Sequence, residues 1–142
     1  MGQFEKAAPL LKDVCDVRRR ILGPVDPTTL ASISALGNLY QRMGFQGDGE
    51  RWREMAEAAL VEAFEGRQAL LGPKHPDTLE TMRGLCQLKG QMGDPTGMQQ
   101  LMEDELLLRR GLDEDAPETI ACIAELASLY AQKATYLERA QN

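Results

Sequence analysis

Residues 71–79 read Leu-Gly-Pro-Lys-His-Pro-Asp-Thr-Leu, and this nonapeptide recurs twice more along the chain in variant form. The variants are Leu-Gly-Pro-Val-Asp-Pro-Thr-Thr-Leu at residues 22–30 and Leu-Asp-Glu-Asp-Ala-Pro-Glu-Thr-Ile at residues 112–120. The second proline of each phrase is Pro27, Pro76 or Pro117, so the phrases recur after 49 and then 41 residues. Such spacings are typical of helical-hairpin repeats, and the sequence therefore predicts a repeat array.

Each phrase is the end of one helix followed by the start of the next. Gly23 and Gly72 stand where a helix C-terminus favours a left-handed residue, and the proline after each of them prevents the helix from continuing. The second proline fits the first turn of a new helix. Asp26 before it is a good N-cap, and His75 is a weaker one. The pattern predicts six helices and no sheet, at about residues 3–22, 27–43, 49–71, 76–92, 95–110 and 117–134.

Apolar residues follow each start at steps of three and four, which places them on one helix face. In the first copy they include Leu36 and Tyr40, with Gly37 between them, where a small residue lets two helices approach closely. Leu126-Ala127-x-x-Tyr130 repeats this arrangement in the third copy. We expect the following side chains to be largely buried: Leu36, Tyr40, Ala56, Leu60, Leu85, Leu126 and Tyr130.

The Leu-Gly-x-x-Tyr core resembles the tetratricopeptide repeat, and the second helices add its pairs of a small and a large residue, Ala56 with Leu60 and Ala7 with Leu11. The long period and the Leu-Gly-Pro-x-His-Pro-Asp-Thr-Leu linker are similar to those of kinesin light chain-like repeats. This resemblance implies an all-α fold, a right-handed superhelical stack of antiparallel helix hairpins, with residues 1–142 forming one tetratricopeptide-like α-solenoid.

The two ends and one insertion depart from a regular array. The longer first spacing places about two additional helical turns in residues 45–55. Residues 2–7 read as the entry to a second helix without its first, and residues 136–142 as the start of another second helix. We therefore expect either an excerpt of a longer array or ends that pack against partner subunits. Apolar surface should then be exposed at the termini, in particular at Phe4, Leu10, Leu11 and Val14.

Composition excludes several classes of function. A formal charge of −6 offers no overall basic surface for nucleic acid. Residues 18–20 are three arginines at the predicted end of a helix, where cations offset the helix dipole. No apolar stretch suits membrane insertion or a signal peptide, so we expect a cytoplasmic protein. Cys15, Cys86 and Cys122 show no disulfide or zinc spacing and are predicted to be buried thiols.

Catalytic chemistry is not indicated, so the chain is predicted not to be an enzyme. The only histidine, His75, belongs to the linker phrase and is expected to act at a helix start. The acidic residues at 103–105 and 113–115 lack the spacing of a calcium loop. We predict no metal site and no cofactor.

The resemblance implies a non-catalytic protein-interaction module, in which the first helices of the hairpins line a concave groove that binds a partner peptide or helix. Ser34 and Glu125 point away from the Leu/Tyr stripe, as do the polar residues predicted to bind in the groove: Asn38, Gln41, Arg42, Arg83, Gln87, Gln91, Ser128 and Gln132. The alternative is a structural subunit or scaffold segment within a larger assembly. Trp52, in the insertion, is interpreted either as packing or as an anchor for the partner.

Overall fold

The computed structural model describes residues 2–142, and within that range the chain forms six α-helices and no strand. Their bounds are α1 Gly2–Leu22, α2 Pro27–Met43, α3 Gly49–Leu71, α4 Pro76–Gln91, α5 Pro95–Arg110 and α6 Pro117–Gln141. The first five agree with the predicted helices to within one residue. The predicted all-α stack of hairpins is confirmed.

The repeated phrase acts as the sequence predicts. Gly23 and Gly72 adopt φ angles of +94° and +93°, which an L-residue with a side chain rarely adopts. Asp26 caps α2, because its Oδ1 accepts a hydrogen bond from the Thr28 N–H at 2.9 Å. His75, expected to be a weaker cap, does the same for α4: its Nδ1 accepts from the Asp77 N–H at 3.1 Å.

The end of α6 was predicted wrongly. The sequence indicated that the helix ends near residue 134 and that a new helix begins at Tyr136, but α6 is continuous to Gln141. The other hairpins turn where a glycine follows the first helix, at Gly44 and at Gly93, whose φ is +73°. Ala134 lacks the left-handed freedom that Gly93 uses, and it favours the helix, so α6 continues through this position.

The helices stack in chain order. Each helix packs on the next, and α2 also touches α4, whereas α1 and α6 do not meet. The insertion appears as a longer second helix, since α3 has 23 residues and α5 has 16. Among residues 2–142, no helix is both long and apolar enough to cross a bilayer.

Two clusters of buried side chains form the core. The larger joins α1 to α4 around Ile33, Leu60 and Leu88, and the smaller joins α4 to α6 around Met102 and Leu126. Six of the seven side chains expected to be buried are less than 9% exposed: Leu36, Tyr40, Ala56, Leu60, Leu85 and Leu126.

Two side chains contradict the expected burial pattern. Tyr130 is 45% exposed: its hydroxyl donates a hydrogen bond to Glu103 on α5, but within residues 2–142 no helix covers its ring as α3 covers that of Tyr40. Ser34, expected to face the groove, is buried, because α2 is enclosed by α1, α3 and α4. At the termini Leu10 and Val14 are exposed as expected, but Phe4 and Leu11 pack against the larger cluster.

Glycines set the closest helix contacts in the first complete hairpin. A Cβ at Gly37 would lie 2.8 Å from Leu60 Cγ and 3.3 Å from the Ala59 Cβ. A Cβ at Gly66 would lie 2.4 Å from Leu30 Cδ2. The predicted role of Gly37 as the small residue between two helices is thus confirmed, and Gly66 has the same role near the other end of the hairpin.

Candidate peptide-binding groove

A groove of about 810 Å³ lies between α2 and α4, with one residue of α1 at its side. The two helices approach closely here, since a Cβ at Gly84 would lie 3.6 Å from Asn38 Oδ1. The groove brings together five of the eight predicted partner-binding residues with four apolar or small ones: Asn38, Gln41, Arg42, Gln87 and Gln91, with Leu11, Ala35, Leu39 and Phe45.

Gln91 is the most unusual polar group of the groove. Its amide nitrogen and oxygen are both shielded from solvent, and neither has a hydrogen-bond partner. An unsatisfied buried polar atom costs about 1–3 kcal/mol. Neither atom is accessible in this conformation, so a peptide bound in the groove could pair with them only if the Gln91 side chain turned outward.

The apolar part of the groove includes a residue that the sequence analysis did not place there. Phe45 lies in the turn after α2, is 76% exposed and lines the groove. Leu11 and Leu39 beside it are half-buried. A large apolar residue directly after the end of α2 at Gly44 was the available signal, since turn residues are usually polar.

Charge in the groove is limited to one group. Arg42 is exposed and is the only charged side chain among the lining residues. Asn38, Gln41, Gln87 and Gln91 supply neutral amides. The groove is therefore suited to a peptide whose backbone hydrogen-bonds the amides and which carries few charged side chains. Arg42 offers one site for an anionic group.

Arg83 lies outside the groove and is bound by neighbouring helices. Its Nη1 is 3.1 Å from Oε1 of Glu105 on α5, and its Nη2 binds Glu125 on α6. Glu105 is 1% exposed and also accepts a hydrogen bond from Arg109 Nε at 2.7 Å. Arg83 and Glu125, both expected on the open polar face, are thus engaged in an ion network that joins α4, α5 and α6.

Ser128 and Gln132 also lie apart from the groove. Both are exposed on α6, where they line a shallow surface together with Thr135, Tyr136 and Arg139. All the residues of this surface belong to one helix. It has no opposite wall among the described residues.

Trp52 packs against the core, as one of the two interpretations proposed. Its ring stacks on Tyr40, and it contacts the larger buried cluster. One edge of the side chain remains accessible and lines a cavity of about 180 Å³ together with Phe4, Met43 and Gln46. The accessible edge keeps the anchor interpretation open to experiment.

The candidate reactive residues have structural positions. His75 caps α4, and the three cysteines are free and buried. Burial, with Glu105 nearby, raises the pKa of the Cys86 thiol to about 11, and burial also raises the pKa of Cys15 and of Cys122. Thiols with such pKa values are poor nucleophiles at neutral pH. Within residues 2–142, no three potential metal ligands cluster together.

Comparison with known families agrees with this geometry. The family pattern of the tetratricopeptide repeat matches residues 1–28 and 53–77. The chain is similar to tetratricopeptide repeats over these two segments. Its matched tetratricopeptide segments cover α1 with the following linker and most of α3 with its linker, which are second helices and the phrases that follow them. No curated protein matches the chain in sequence.

Solved structures with the same fold include tetratricopeptide-like repeats of the kinesin light chain type. BtubC (BKLC) from P. vanneervenii superposes with a TM-score of 0.78 at 20% identity, over 94% of this chain and 51% of its own. The nearly identical TPR-like repeats of a Podosopora anserina protein described as a kinesin light chain give 0.75 at 23% identity, over 96% and 62%. This chain thus spans about half to three-fifths of those structures. The predicted resemblance to kinesin light chain-like repeats is confirmed for the fold.

Proposed function

We propose that this chain is a non-catalytic protein-interaction module that binds an extended peptide in the groove between α2 and α4. The tetratricopeptide fold is generally used for protein interaction or scaffolding, and its proteins are generally not enzymes. The single observation that supports the groove as the site is its lining by the accessible amide side chains of Asn38, Gln41 and Gln87.

The chemistry of the groove describes its peptide. Amide side chains hydrogen-bond the peptide backbone, so they favour an extended segment over one whose backbone is already paired in a helix. Phe45 and Leu11 provide an apolar contact for one large side chain at the end where α2 stops. Arg42 is placed to pair with a carboxylate. The proposed ligand is therefore an extended segment with one apolar and one acidic side chain.

Selection of peptides from a random library tests this proposal. The purified chain is used as bait, and the binding of selected peptides is measured by fluorescence anisotropy. Gln87→Ala and Asn38→Ala should each weaken binding by about 5- to 30-fold, which corresponds to about 1–2 kcal/mol per lost hydrogen bond. Gln68→Ala, an identical change at an exposed position of α3, should leave binding unchanged. Equal binding by all three variants would exclude the groove as the site.

A scaffold role within a larger assembly is the second candidate. It is favoured by a separate observation, the exposed apolar residues along α1, which include Leu10 and Val14. The two roles are compatible, because the groove and these residues occupy different surfaces.

A further inference from the structure

A second cavity, of about 440 Å³, lies between the starts of α4 and α6, beside the end of α5. It shares one face of α4 with the groove, since Glu80 and Arg83 line the cavity and Gln87 and Gln91 line the groove. These four residues follow one another at steps of three, four and four, so they form one stripe along α4. A peptide that leaves the groove along α4 therefore meets the cavity next.

The cavity lies where the packing of the stack changes. The buried residues of α3 include Leu60 and Ala63, and those of α5 are Met102 and Glu105, three residues apart in both helices. Glu105 thus takes the place of a buried alanine. Arg83 and Arg109 bind its carboxylate. Such a buried ion network contributes little stability compared with apolar packing, so its position between α4, α5 and α6 invites another explanation.

The ion network spans a gap between α4 and α6. Arg83 stands 49 positions after Ser34, the spacing of the repeated phrase, and Ser34 is buried where α2 lies against α4. Over the described lengths of α4 and α6, the two backbones do not approach each other in this way, and Arg83 reaches Glu125 of α6. The larger side chain and its partners thus hold the two helices apart and leave the cavity between them.

The charges that remain free around the cavity are mainly negative. Within residues 2–142 its three exposed carboxylates make no ion pair: Glu80, Asp113 and Glu118. Both arginines of the lining, Arg83 and Arg109, are already paired with Glu105. Lys74 reaches the end of α5, because its Nζ is 3.0 Å from the position of a Cβ at Gly111. A cation there offsets the helix dipole.

The inner surface of the cavity is apolar. It includes Pro76, Leu79 and Leu112, of which Leu112 is 56% exposed. A basic side chain matches this combination, because its aliphatic stem packs on apolar surface while its charged head pairs with carboxylates. An acidic side chain would be repelled, and an apolar one would leave the carboxylates without a partner.

The distance between the two sites fixes the spacing of the ligand. Gln91 lines the groove together with Arg42, and it lies eleven residues after Glu80 on α4. Eleven residues of helix span about 16 Å at a rise of ~1.5 Å per residue. An extended peptide covers this distance with about five residues, since it advances by ~3.3 Å per residue.

We propose that the peptide bound between α2 and α4 continues along α4 and places a basic side chain in the cavity between α4 and α6. This inference rests on the proposed peptide-binding function and adds a second subsite to it. The groove pairs Arg42 with an acidic residue of the peptide, and the cavity pairs Glu80 and Glu118 with a basic one. The ligand therefore carries opposite charges about five residues apart.

The peptides selected on the wild-type chain test the proposal first. They should contain a basic residue about five positions from the acidic one, and selected peptides without it would overturn the proposal. In fluorescence anisotropy, Glu118→Lys should weaken binding of such a peptide by about 5- to 20-fold. A matched peptide with glutamate at the basic position should bind this variant more tightly than the wild-type chain. Glu80→Lys should reproduce both effects from the opposite wall of the cavity.

Glu114→Lys is the matched control, because Glu114 is exposed in the linker before α6 but does not line the cavity. All three lysine variants should keep the helicity of the wild-type chain by circular dichroism. If Glu118→Lys and Glu80→Lys act no more strongly than Glu114→Lys, while Asn38→Ala and Gln87→Ala still weaken binding, the peptide occupies the groove alone and this inference fails. If no peptide is selected, or the two alanine variants bind normally, the proposed function fails as well.

Discussion

The ring of Tyr40 on α2 stacks on the indole of Trp52 on α3, with ring centroids 5.8 Å apart and planes inclined by 19°. Tyr40 is 5% exposed, and Trp52 closes the end of the hairpin over it. The insertion therefore contributes one aromatic residue to the core, Trp52, and another to the groove, Phe45.

Trp52→Ala is expected to lower the free energy of unfolding by about 2–3 kcal/mol, because it removes a half-buried ring and its stacking. Phe45→Ala is the matched change, and it should alter stability by less than ~0.5 kcal/mol since Phe45 is mostly exposed. Urea denaturation measures both. Loss of selected-peptide binding by Trp52→Ala without loss of stability would instead support Trp52 as the anchor.

Gly37→Val should destabilise the chain by about 2–3 kcal/mol, because even a Cβ at this position meets the buried Leu60 at 2.8 Å. Gly84→Ala provides the comparison on α4, since its Cβ would have no neighbour closer than 3.6 Å. The alanine should be tolerated or stabilise the helix by up to ~1 kcal/mol. Similar losses in both variants would show that helix approach at Gly37 is not limiting.

Glu105→Ala should cost about 3–5 kcal/mol in unfolding free energy, because it leaves Arg83 and Arg109 without their shared buried carboxylate. Glu103→Ala, two residues earlier, removes a carboxylate that accepts an exposed hydrogen bond from the Tyr130 hydroxyl. That change should have little measurable effect. Equal melting temperatures for the two variants would contradict the importance of the buried network.

Alkaline pH should destabilise the fold through Cys86. The folded thiol has a pKa of about 11, whereas an unfolded cysteine titrates near ~8.5, so above that pH the unfolded chain releases a proton that the folded chain retains. The stabilisation is complete below the unfolded pKa and declines as pH rises toward the folded one.

Between pH ~8 and ~10.5 this decline should reach about 2 kcal/mol. Urea denaturation of the wild-type chain and of Cys86→Ala at both pH values isolates the contribution, because the other titrating groups are common to the two proteins. Parallel pH profiles would mean that the thiol does not supply it.

The helix boundaries were predictable because each depends on local chemistry. Glycine followed by proline ends α1 and α3 at the same point in both copies, and Asp26 starts α2 through a contact two residues away. The end of α6 was not predictable from the pattern of the earlier copies, because Ala134 replaces the glycine that turned them.

The groove was predictable in part. Periodicity selects one face of α2 and α4, and Asn38, Gln41 and Gln87 line one groove there, while their role in binding stays a prediction. It could not show that Arg83 is bound by Glu105, because that contact depends on how far α5 lies from α4. The position of Phe45 depends on the path of a turn, which periodicity does not describe.

Each helix of this chain touches its sequence neighbours, and α1 and α6 never meet. When force is applied between the two termini, no contact between α1 and α6 resists their separation. The stack is therefore expected to unfold in steps, one hairpin after another, and each hairpin should refold separately when the force is lowered. Optical-tweezer extension should show several low-force transitions instead of one cooperative rupture.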